Sequence, residues 1–71
     1  MATTASEWVS ALADALGVDG PDPATVEALL ELAATAAHAS ERTAAPITCW
    51  LIGRAGIDPQ SALATARALT S

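Results

Sequence analysis

Two Asp-Pro steps, Asp22-Pro23 and Asp58-Pro59, constrain most strongly what this chain can fold into. An aspartate accepts hydrogen bonds from the free N–H groups of a new helix. A proline at the first helical position gives up only an N–H that had no intrahelical partner. Ahead of them stand Gly17-Val18 and Gly56-Ile57, each a glycine followed by an apolar residue, the pattern of a left-handed helix end with its hydrophobic contact. Between these two punctuation marks lies a third junction, His38-Ala39-Ser40-Glu41-Arg42-Thr43-Ala44-Ala45-Pro46, which gathers the only histidine, an acid-base pair and a helix-start proline.

These signals cut the chain into four helical segments. Residues 1–4 read as a frayed tail, with helix one capped at Thr4 because Thr4-Ala5-Ser6-Glu7 has capping-box spacing. Helix two starts at Asp22-Pro23, helix three around Thr43 to Pro46, and helix four runs from about Pro59 to Leu69. There is no strand pattern, no sequence repeat beyond the capping device and no internal boundary. The expected fold is a single all-α domain, residues 1–71: a compact bundle of four short helices with short loops.

Periodicity then assigns faces. Trp8, Val9, Leu12, Ala15 and Leu16 form one apolar stripe on helix one. On helix two, Val26, Leu29, Leu30, Leu32, Ala33, Ala36 and Ala37 make a broad apolar face. Glu27, Glu31, Thr35, His38 and Arg42 fall on the other side as a polar stripe. Helix three is apolar on both sides, with Ile47, Trp50, Leu51 and Ala55 opposite Ala45, Cys49 and Ile52, so it is either central or half of an interface. Helix four presents Leu63, Ala66 and Leu69.

The core these faces build is unusual, because nineteen residues are alanine and none is Phe or Tyr. Alanine favours helix and lets helices approach, yet buries little area. Trp8 and Trp50 are therefore expected to dominate the packing. A single cysteine excludes an intramolecular disulfide, and no Cys/His cluster suggests a metal.

A net charge of −5 with three arginines and no lysine argues against nucleic acid and against an anionic membrane surface. A basic partner, or plain solubility, fits better. No apolar run approaches the roughly 20 residues of a membrane span. The N-terminus has no basic-then-apolar leader, so a cytoplasmic location is expected.

His38, Glu41, Arg42 and Glu31 are the candidate recognition patch. His38 also fits a surface histidine capping a helix end, and Glu41 and Arg42 also fit a tied inter-helix turn. Cys49 with His38 has the makings of a nucleophile and base, but Cys49 lies mid-helix without the cationic neighbours that activate a thiol, so a buried inert thiol is expected. Trp50, Cys49 and Ile52 are the candidate hydrophobic interface. No catalytic residue and no cofactor is assigned. Size and acidity match an acyl or peptidyl carrier protein, but the Asp-Ser-Leu attachment motif is absent; Asp58-Pro59-Gln60-Ser61 is the nearest sequence. No helix carries the basic residues of a DNA-recognition helix.

The ordered set Ala37-His38…Glu41-Arg42…Ala44-Ala45-Pro46-Ile47-Thr48…Leu51…Gly53, with the opening Glu7-Trp8-Val9…Leu12…Leu16-Gly17, resembles a small actinobacterial all-helical domain family of unknown function. Thr43 stands where that family commonly has proline. Members occur alone or fused to domains similar to molybdenum-cofactor guanylyltransferases. The resemblance therefore implies an accessory role near molybdopterin-cofactor maturation, and no catalytic residue. The expectation is a non-enzymatic interaction module whose protein partner belongs to molybdenum-cofactor biosynthesis. The alternatives are a homodimer that hides the second face of helix three, or a small-anion or nucleotide-binding module using Arg42 and helix-start N–H groups.

Overall fold

Each of the expected helix boundaries is built from local hydrogen bonds. The computed structural model describes residues 3–70, so Met1 and Ala2 of the expected tail lie outside the described residues. Helix α1 spans Ala5–Leu16, α2 Pro23–Ala39, α3 Ala44–Ala55 and α4 Pro59–Thr70. Together they make an all-α, four-helix globule with a Cα radius of gyration of 12.9 Å.

At the start of α1 the capping box is complete: Glu7 N–H donates to Thr4 Oγ1 at 3.1 Å, and Thr4 N–H donates to Glu7 Oε1 at 3.0 Å. Its far end turns at Gly17, φ +72°, where the Val18 N–H reaches back to the Ala13 carbonyl at 3.0 Å. Asp22 Oδ1 accepts from Thr25 N–H at 2.7 Å and so opens α2. Asp58 does the same for α4, accepting from Ser61 N–H at 2.9 Å and from Ser61 Oγ at 2.8 Å. These contacts stabilise the charged carboxylates. The Thr4 backbone N–H holds the Glu7 carboxyl below its ordinary value, and the Thr25 and Ser61 N–H groups hold Asp22 and Asp58 below theirs.

Helix α2 is the axis of the fold, packing against α3 on one side and α4 on the other. α1 has no comparable partner. Among the described residues Leu32, with no exposed surface, is the one large side chain fully buried, and Ala28, Ala62 and Ala13 complete the buried set. Half-buried Leu29, Ala33, Ala36 and Ala37 continue that face along α2. Facing elements contribute half-buried Ala45, Cys49 and Ile52 from α3 and Leu63 and Ala66 from α4. Small side chains allow this close approach, which is why an alanine-rich seam centred on Leu32 replaces a core of large residues.

That arrangement corrects the expectation for the tryptophans. Trp8 is 61% exposed and Trp50 64%, so neither organises the core. The expected stripe on α1 is likewise outside: Trp8, Val9, Leu12 and Leu16 are exposed, and Ala13 is the residue that turns inward. Ala13 lies close to the loop at Gly20, where an added Cβ would stand 3.9 Å from the Ala13 Cβ. Leu30 and Leu69 are also exposed rather than packed.

Little burial leaves much surface. The chain exposes 5405 Å² at 7.1 kDa. A monomer of that mass ordinarily exposes about 4,100 Å², so the excess is about 1,300 Å².

Candidate functional site

The polar junction is open and unclasped. α2 ends at Ala39, with the Ser40 N–H donating to the Ala36 carbonyl at 3.1 Å, so Arg42 lies in the following turn and does not continue the helical stripe. The turn is tied by backbone: Ala44 N–H donates to the Glu41 carbonyl at 2.9 Å, and Ala45 N–H to the Arg42 carbonyl at 3.2 Å. The side chains of His38, Glu41 and Arg42 are exposed, and among the described residues none forms a hydrogen bond or ion pair. Thr43 enters α3 in helical conformation and gives no side-chain cap.

Glu31 is drawn elsewhere. Its carboxylate accepts from the Arg67 guanidinium, an ion pair that joins α2 to α4 across 36 residues of sequence. Both side chains are more than half exposed, so the pair pins geometry more than it adds stability. Periodicity places Glu31 on the polar side of α2 but cannot supply its partner. Arg67 stands one turn from Leu63 on α4, and only the packing of α4 on α2 reveals the match.

Trp50, Cys49 and Ile52, grouped as an apolar interface, do not share one face. Cys49 and Ile52 are half-buried, whereas Trp50 is exposed together with Ile47 and Leu51. Ile47, Trp50 and Leu51 stand at i, i+3 and i+4, which makes a continuous outer ridge on α3. Trp8, Leu12 and Leu16 make a second ridge on α1 at i, i+4 and i+8. The two-sided apolarity of α3 thus resolves into one face against the rest of the fold and one against solvent.

Two apolar grooves accompany these ridges. One, about 400 Å³, lies where α2, α3 and α4 meet, and is lined by Leu32, Leu51, Ile52, Ile57 and Leu69 among others. The second, about 770 Å³, opens between α1 and the first half of α2, with Val9, Val26, Leu29 and Leu30 on its walls. Composition alone could not locate either groove, because each is lined by residues of more than one helix and so depends on how the helices pack.

No group of three or more His, Cys, Asp or Glu side chains among the described residues is placed to hold a metal ion. No helix among them is long and apolar enough to cross a membrane. Cys49 is half-buried and makes no hydrogen bond among the described residues. What the surface offers is apolar area, two tryptophan ridges and an unclasped acid-base patch.

Comparison with known proteins adds one finding. Neither a curated protein nor a solved structure matches the chain. A family model does, over residues 1–71, and the chain belongs to that family, described as Domain of unknown function (DUF6457).

Proposed function

We propose that this domain is a non-enzymatic module that binds a protein partner. The observation that carries the reading is the outward placement of both tryptophans on apolar ridges of α1 and α3. Tryptophan is enriched among the residues that dominate binding energy, and contiguous exposed apolar patches mark interaction sites. The exposed His38, Glu41 and Arg42 supply polar groups free to pair with such a partner. An accessory role in molybdenum-cofactor maturation is the specific form we favour. Its support is the resemblance of the His38-to-Gly53 segment to domains found beside cofactor guanylyltransferases.

A tagged chain used as bait in native lysate, with Trp8→Ala, Trp50→Ala and Arg42→Ala variants as controls, tests this. A molybdenum-cofactor protein captured by the parent and lost with a tryptophan or Arg42 variant is the expected result. Equal recovery by all four baits overturns it.

A second reading, a homodimer through α3, is favoured by the outer ridge of Ile47, Trp50 and Leu51. Sedimentation across a hundredfold concentration range decides it: a constant monomer mass removes the dimer.

A further inference from the structure

The formal charges are divided unevenly along the chain. Glu7, Asp14, Asp19, Asp22, Glu27 and Glu31 all precede His38, with no lysine or arginine among them; Arg42, Arg54 and Arg67 all follow it, with only Glu41 and Asp58. α1 and the first half of α2 are therefore an acidic half, and the 770 Å³ groove lies within it. Glu27 lines that groove directly. Asp14 stands one turn beyond the lining residue Ser10 on the same face of α1, and Asp19 and Asp22 bracket the lining pair Gly20-Pro21. Among the described residues no cation pairs with Asp14, Asp19, Asp22 or Glu27. The walls, in contrast, are apolar: Val9, Val26, Leu29 and Leu30.

We propose that this groove receives an amphipathic helix of the partner protein, with leucine-sized residues on its buried face and Lys or Arg along its flanks. The inference rests on the interaction reading above and names the partner's chemistry. An apolar trough between two helices accepts helix side chains at i, i+3, i+4 and i+7. Acidic groups around it attract basic flanks and repel acidic ones, which fixes partner choice and speeds encounter. A second copy is a poor occupant, because pairing groove on groove sets one acidic half against another and supplies no arginine from either.

The test uses the full chain, isotopically labelled, titrated with an 18-residue Leu/Lys amphipathic model helix. A Leu/Glu analogue of the same pattern and a Ser-for-Leu analogue serve as comparisons. Expected are amide shift changes confined to α1 and the first half of α2, and binding at least about tenfold weaker for either analogue. Glu27→Lys and Leu30→Ala, both at exposed positions that the fold does not depend on, should each weaken the Leu/Lys helix several-fold. Equal affinity for the Leu/Lys and Leu/Glu helices overturns the proposal, as does a groove-mediated dimer in sedimentation. Shifts centred on Trp50 overturn it too, while leaving the broader interaction reading intact. Failure of that reading is seen separately, in equal lysate capture by the tryptophan variants.

Discussion

Truncating Leu32 to alanine isolates how much of this fold hangs on one side chain. Among the described residues Leu32 is fully buried and the other buried ones are alanines, so truncating it removes the one large side chain at the centre of the seam. Leu→Ala at such a site costs about 2.7–5 kcal/mol, made of lost transfer energy and a cavity term. Here Leu32 also borders the groove where α2, α3 and α4 meet, so part of the void opens to water and the cavity term is reduced. We therefore expect about 3 kcal/mol. A chain of this length has roughly 4–10 kcal/mol in total, so the variant should lose about 12–24 °C in Tm, or remain largely unfolded at the low end. Far-ultraviolet circular dichroism during urea and thermal unfolding is the assay, because the exposed tryptophans make fluorescence a poor reporter. Leu69→Ala, the same truncation at a residue 84% exposed, is the control and should stay within about 0.5 kcal/mol. A loss below about 1 kcal/mol for Leu32→Ala would refute the claim that the seam is centred on this residue.

Four further outcomes follow from the same geometry. Folding should shift tryptophan emission by only a few nanometres and leave both rings open to iodide quenching; strong blue-shifted emission would contradict the exposure of Trp8 and Trp50. A double-mutant cycle on Glu31→Gln and Arg67→Met should give a coupling of about 0.5 kcal/mol, falling as salt is raised, because the pair is solvent-screened. Thr4→Ala removes one cap of α1 and should cost about 1 kcal/mol; hydrogen exchange should place that loss in α1, with the α2–α4 amides unaffected. Glu7, Asp22 and Asp58 carry lowered pKa values when folded, so their stabilising contribution is present at neutral pH and disappears as pH falls through the folded values. Stability should therefore decline with acidification from about pH 4.5, the ordinary value for Glu7, and Glu7→Gln with Asp22→Asn and Asp58→Asn should flatten that decline.

Element boundaries were legible because they depend on neighbours in sequence. Thr4, Asp22 and Asp58 each bond to an N–H three residues on, and Gly17 and Gly56 take positive φ for reasons local to one turn. Burial was less legible. Periodicity says which apolar residues share a face, but not whether that face finds a partner: Trp8, Leu12 and Leu16 of the expected α1 stripe lie in solvent, and Val9 lines the groove against α2. Size misled in the same way. Trp8 and Trp50 have the most area to bury, yet the buried positions are held by Leu32 and small alanines while both indoles face outward. At the candidate site, His38 keeps its place on the exposed polar side of α2, whereas Arg42, expected on the same stripe, is exposed in the turn that follows the helix together with Glu41. The Glu31–Arg67 pair required the α2–α4 contact, which no pattern within either helix encodes.

Helix α1 is closed at both ends by bonds internal to its own stretch of chain, from Thr4 through Val18, and meets the other helices at few points. A segment of that kind can tilt without unwinding. Its amides should therefore report two separate lifetimes: a short one for departure from α2, and a longer one for loss of helicity. The distance between α1 and α2 then becomes an adjustable quantity, spread by thermal motion in the free protein and held to one value when something occupies the space between them. On the proposal that the groove receives a partner helix, helices of different girth should be acceptable to one and the same sequence, with selectivity among them falling to charge more than to shape.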